Sequence, residues 1–376
     1  MKEIPPLSLY IHIPWCVKKC PYCDFNSHPQ RNTLPEADYV AALIADLEQV
    51  AVQIEGRPIT SIFFGGGTPS LFSAESIARI LSVVKTLLVF LNDDIEISLE
   101  ANPGTVDSMR FAGYKAAGIN RLSLGIQSFN NKYLQALGRI HDQKVAITAA
   151  ELARSTFDNV NFDLMYGLPE QTLDDACHDA QMAVALSPQH LSFYQLTLEP
   201  NTAFYNRPPR LPHDDLSATM QSEIEALLKS SGYQHYETAA FAYPKRQAQH
   251  NLNYWKFGDY VGIGAGAHSK ISWPTGVVRE VRHKHPKTYM TQPYQPVAQH
   301  WQVSPNDLTL EFMMNALRLH DGVPLALFEQ RTGLPLMTIA TPLQRAQAQG
   351  LLQVTSDKLQ PTLLGQRFLN EILMLF

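Results

Sequence analysis

Three of the chain's four cysteines, Cys16, Cys20 and Cys23, fall within eight positions, in the run C-VKK-C-PY-C that directly follows an apolar segment and Pro14-Trp15. Thiols this crowded, in a chain with too few cysteines for a disulfide scaffold, point to a metal or a cluster. Three thiolates on one short loop can hold three irons of a 4Fe–4S cubane, leaving the fourth iron open to a small molecule. The competing use is a structural zinc site, which asks for four protein ligands. His12 or His28 can complete such a set, but no second cysteine pair is present. The spacing favours the cluster. Cys177 stands alone in LDDACHDAQMAVAL, where apolar residues recur at helical spacing, and reads as a packed core thiol.

A second group with chemical potential is Gly65-Gly66-Gly67-Thr68-Pro69, which closes the next apolar run. Glycines without Cβ let backbone N–H and C=O groups approach a polar ligand closely. Alone this run is equally well a tight turn. One strand after a cysteine loop, it suggests two walls of one site.

Both groups need a frame. Over the first 200 residues short apolar strands alternate with longer helical patterns, the strands beginning near Leu7, Thr60, Asp94, Arg121, Asn159 and His190. After the first, Tyr39, Val40, Leu43, Ile44, Leu47, Val50, Ala51 and Ile54 form the apolar stripe of a helix facing a sheet. The expected fold class is α/β, a partial (β/α)6 TIM-like barrel with a C-terminal helical, winged-helix-like domain. Parallel barrels collect their chemistry at the C-terminal ends of the strands. Glu100 ends the third strand and Gln127 the fourth, Asp163 lies in the fifth, and Arg139 lies between the last two.

Residues 1–240 read as the barrel core, 241–300 as a connecting region rich in His, Tyr and Gly, and 301–376 as helices followed by the hairpin LLQVTSDKLQPT. GIGAGAH, Gly262 to His268, lacks the spacing of a dinucleotide fingerprint and reads as a tight turn near the barrel mouth. A net charge of -5, with acidic residues outnumbering basic ones in the last segment, argues against nucleic acid. No apolar run approaches the roughly 20 residues of a membrane span, and no basic, apolar leader opens the sequence. A cytoplasmic location is expected.

CxxxCxxC after the first strand with GGGTP after the second resembles the radical S-adenosylmethionine (SAM) superfamily, over roughly residues 7 to 240. The resemblance implies that the amino and carboxylate groups of SAM chelate the cluster's open iron. Over nearly its whole length the chain is similar to the coproporphyrinogen dehydrogenase branch. By that match Tyr10, Gly66, Gly67, Thr68, Glu100, Gln127, Arg139 and Asp163 contact SAM, with Tyr22 as an addition.

Within the branch, the dehydrogenases extend the loop to CxxxCxxCxC, and here Phe25 takes the last position. That departure, and His250-Asn-Leu-Asn-Tyr-Trp255 matching an HNxxYW signature, resemble the branch's haem chaperones. This implies haem as a further ligand, His250 as its axial ligand, and Tyr254 and Trp255 against the macrocycle. His235, His268, His283 and His285 are candidates for a second axial ligand. The implied partners are haem-accepting proteins such as cytochromes, including transient contact with a membrane cytochrome, and a homodimer controlled by the cluster. The alternative is an oxygen-independent coproporphyrinogen III dehydrogenase, which Phe25 disfavours.

Overall fold

The structure, a computed structural model, describes residues 4–376. The expected strands form β1 (Leu7–Ile13), β2 (Ile59–Gly66), β3 (Glu96–Ala101), β4 (Arg121–Gln127), β5 (Val160–Tyr166) and β6 (His190–Gln195). They lie side by side in that order, all parallel. Helices such as Glu36–Gln53, Ala74–Leu87 and Gln143–Thr156 return the chain between them. LSLYIHI, with six of seven residues buried, reads as a near-continuous apolar run because both faces of the parallel sheet are covered.

The connecting region is where the structure departs from the expectation. Residues 241–300 do not bridge two bodies; they extend the same sheet. After β7 (Gln234–Glu237) and β8 (Ala240–Ala242), which add to β6, the chain crosses to the other edge. There β9 (Asp259–Ile263) pairs parallel with β1, and β10 (His268–Trp273), β11 (Gly276–Arg282) and β12 (Val297–Gln302) follow antiparallel. The result is a twelve-stranded sheet with seven parallel strands at its centre. β9 is short and hard to see because its pattern, DYVGI, opens with a buried carboxylate and contains a glycine. GIGAGAH turns β9 into β10, with Ala267 N–H donating to Gly264 O at 3.0 Å.

Asp46, fully buried on helix Glu36–Gln53, locks this turn to the barrel. It accepts from Arg282 Nη2 at 3.1 Å, from the Tyr289 hydroxyl at 2.8 Å and from Gly264 N–H at 3.4 Å. Arg282 also pairs with Glu280 at 2.8 Å.

Helices Pro305–Ala316, Leu327–Thr332 and Ala340–Ala348 pack with a three-stranded antiparallel sheet of Val323–Pro324, Leu352–Val354 and Lys358–Pro361. The expected hairpin closes through Thr355 N–H to Lys358 O at 2.9 Å. This unit's core, with Phe312, Phe328 and Ile339, also takes in Tyr236, Phe257 and Val277 from the barrel side. Among the described residues no helix is long and apolar enough to cross a membrane.

Removing one partner of a buried ion pair strands the other charge, so Asp46→Ala is expected to cost about 3–5 kcal/mol. A urea titration checks this; a loss below about 1 kcal/mol would show that Asp46 does not hold the turn.

Candidate cluster and cofactor site

β1 delivers the cysteine loop and β2 delivers the glycine turn at the same end of the sheet, because His12 pairs with Gly65 and Ile13 with Gly66 in register. The two loops are then sewn together: Gly67 N–H donates to Ile13 O and Thr68 N–H to Trp15 O, both at 2.7 Å. A Cβ on Gly67 would lie 2.6 Å from Trp15 O, so only glycine permits the approach. Gly66, at φ +113°, occupies the left-handed side of backbone space that side chains avoid.

Cys16, Cys20 and Cys23 are all half-buried and unpaired on a loop tightened by Cys23 N–H to Cys20 O at 3.2 Å. They line a cavity of about 330 Å³ together with every other predicted site residue except Tyr10 and His250. Glu100 accepts from Gly66 N–H at 3.1 Å. Burial, then the charge of Asp163, pushes its carboxyl up to about 8 against that hydrogen bond. Asp163, itself raised by burial, accepts from Ser123 and Asn161, each at 2.8 Å. Gln127 sits at φ +68°, where β4 slips register against β5, and its amide oxygen accepts from the Tyr194 hydroxyl at 2.9 Å. A non-glycine residue held there is backbone strain of the kind that gathers at functional sites.

Arg139 donates to Gly125 O at 2.7 Å and points Nη1 at Cys20 Sγ, 3.7 Å away. Its Nε–H is buried without a partner. An orphaned donor beside three thiols, in a cradle that a Cβ would fill, fits a group carrying sulfide and carboxylate acceptors. Among the described residues no three His, Cys, Asp or Glu side chains converge on a single-ion position. A cubane asks for thiolates spread over separate corners.

Tyr10 lines a second cavity, of about 520 Å³, which shares Gly66, Glu100 and Phe25 with the first. Its walls include Phe63, Tyr254, Trp255 and Tyr260. Lys270 and Arg279 stand directly opposite each other across β10 and β11, and both line it. Facing cations normally repel. Here Lys270 rests on Asp259 at 3.0 Å and Arg279 on Glu311 at 2.6 Å. Sequence reasoning missed Tyr260, Lys270 and Arg279. The period-two spacing of His268, Lys270 and Ser272 was the available signal, legible only once the segment is known to be a strand.

His250 lines neither cavity. It lies on helix Gln249–Trp255, is 4% exposed, stacks on Phe63 with centroids 4.2 Å apart, and binds Glu96 through Nδ1 at 2.5 Å. Burial opposes ionisation of Glu96, but the charge and hydrogen bond of His250, with Arg121 and the Gln249 N–H, hold its carboxyl at about 2. His250 therefore seats the helix, while Tyr254 and Trp255 from the same motif reach the second cavity. Of the other histidines singled out, His268 lines that cavity; His235 stacks on Phe241 and His285 meets His28 edge-on. The zinc alternative loses His12, whose Nε2 donates to Asn26 O at 2.9 Å and whose Nδ1 accepts from Tyr10 at 2.8 Å. Burial lowers His12 to about 4, so the ring is neutral.

A three-thiol loop and a glycine turn at the C-terminal mouth of an open parallel barrel define a radical SAM protein, a class that carries a 4Fe–4S cluster and SAM. Residues 10–183 match the Radical SAM superfamily and residues 303–368 the HemN C-terminal domain. The heme chaperone HemW of Haemophilus influenzae is 50% identical over 100% of this chain and 99% of its own length. That of Escherichia coli is 48% identical over 100% and 99%. The solved structure of coproporphyrinogen III oxidase (HemN) from Escherichia coli, a radical SAM enzyme, has a TM-score of 0.83 at 26% identity, covering 99% of this chain and 90% of that one. The chain belongs to the HemW family.

Because the Glu100 carboxyl is raised from 4.5 to about 8, its contribution to folding is present below the unfolded value and lost as pH rises through the folded one. The Glu100→Gln chain without cofactors is expected to gain in unfolding midpoint over wild type between about pH 5 and 8, levelling off above. A pH-independent difference would place the Glu100 charge in solvent.

Proposed function

We propose that Cys16, Cys20 and Cys23 hold a 4Fe–4S cluster, that SAM lies against Gly66, Gly67, Thr68, Glu100, Gln127, Arg139 and Asp163, and that haem occupies the aromatic cavity next door, from which it passes to haem-accepting proteins such as cytochromes. When bound, the cluster's open iron supplies a chelation point for SAM and a source of one electron. The observation that carries the haem reading is the second cavity itself: aromatic walls, with two opposed cations at hand. An apolar macrocycle with anionic carboxylates answers both features, since the rings take its faces and Arg279, with Lys270 behind it, supplies positive charge for the carboxylates. Membership of a family whose named relatives are haem chaperones supports the same reading.

The porphyrinogen dehydrogenase reading is the weaker one. Phe25 stands where those enzymes place a fourth cysteine, and it lies on the wall shared by both cavities. A thiol there would face both ligands; a half-exposed phenyl ring has no proton or electron to give.

The test is anaerobic cluster reconstitution followed by haem titration, then transfer to an apo-cytochrome, for wild type and for the Cys16/Cys20/Cys23→Ser triple variant. Saturable binding with transfer that fails in the variant is expected; a wild type that takes up no haem, or converts coproporphyrinogen anaerobically, overturns the reading. Loss of one charge-assisted contact predicts that Arg279→Gln weakens haem binding roughly tenfold or more, read from the same titration.

A further inference from the structure

We propose that His268 is a protein ligand to haem iron in the aromatic cavity, the role that the resemblance of the HNxxYW motif implies for His250; this rests on the haem reading above. Among the described residues only two histidines line that cavity, His12 and His268. Both ring nitrogens of His12 are engaged, by Tyr10 and by Asn26, and its ring packs edge-on against Tyr10. Freeing it would break the contact that holds the cysteine loop's Asn26 to the end of β1. His250 is screened from the cavity by Phe63, the ring on which it stacks.

His268 differs in each respect. It is exposed, it opens β10 directly after the Gly264–Gly266 turn, and among the described residues no hydrogen bond engages its ring. A free imidazole on a strand braced by the buried Asp46 anchor is a preorganised donor. Residues two apart on a strand share a face at a spacing of about 7 Å, so His268 and Lys270 address the same side of the sheet, with Arg279 opposite Lys270. A haem held at His268 would find Lys270 and Arg279 to supply positive charge for its carboxylates and Tyr254, Trp255 and Tyr260 as apolar walls in the same cavity. The arrangement also gives the HNxxYW helix a role without iron ligation: His250 and Glu96 seat it, and its two aromatics wall the ligand.

The experiment compares haem titrations of wild type, His268→Ala, His268→Gln and His250→Ala, each with its cluster reconstituted, by absorption and electron paramagnetic resonance spectra. Both His268 variants are expected to lose the histidine-ligated spectrum and weaken binding roughly tenfold or more, and added imidazole to restore the spectrum in His268→Ala. His250→Ala is expected to bind less haem and unfold earlier, while the haem that it binds keeps the wild-type spectrum. Spectra of the His268 variants that match wild type overturn the proposal, as does imidazole rescue of His250→Ala alone. Absence of any haem spectrum in wild type instead overturns the haem reading on which it rests, so the two failures are told apart.

Discussion

Backbone meets backbone where Gly67 and Thr68 donate to Ile13 and Trp15, and everything else at the mouth of the barrel is arranged around that closeness. The two bonds bring the chain entering the cysteine loop against the chain leaving β2. They fix Cys16 beside Thr68, and they leave Gly66 turned so that its N–H meets Glu100. A side chain at position 67 would collide with the Trp15 carbonyl and force the loops apart. The thiols, the acidic wall and the arginine then share a cavity because six parallel strands end at one level, and the strand ends and the connections after them lie along one rim.

Much of this was legible because the residues concerned lie in long, strongly patterned segments. LSLYIHI, RLSLGIQ and NVNFDLM are apolar enough to be strands in any context, and polar residues at their ends have few structural uses. What escaped the sequence was tertiary. Nothing local in DYVGI or HSKISW shows that they join the sheet beside β1, since Asp259 is satisfied partly by Arg57, 202 residues earlier, and by Lys270 and Ser272 only once the two segments pack together. The setting of His250 was hidden in the same way. Histidine in an aromatic setting suggests a metal ligand, and only the fold reveals Glu96, 154 residues earlier in the chain, as the group that its Nδ1 serves.

The interior behind the aromatic cavity is unusually polar for a barrel. His190 bonds Asn161 at 2.6 Å and Tyr236 at 2.8 Å, and Arg121 reaches both Ser98 at 3.1 Å and Glu96 at 3.8 Å. Buried networks of this kind cost desolvation, which their hydrogen bonds and ion pairs offset. Here the network continues through Glu96 to the helix carrying Tyr254 and Trp255. The wall of the second cavity is thereby pinned to the barrel core by hydrogen bonds with directional requirements, which an apolar contact surface alone would not impose.

The two cavities have a common partition of Gly66, Glu100 and Phe25. If the molecule in one displaces the Glu100 carboxylate, changes its protonation or turns Phe25, the free energy of filling the other changes too. Linkage then requires the effect to be mutual: whatever factor the first ligand imposes on the affinity of the second, the second imposes on the first. A carrier built this way has a natural means of release, because exchange of the small ligand on one side of the partition alters the hold on the large one without any movement of domains.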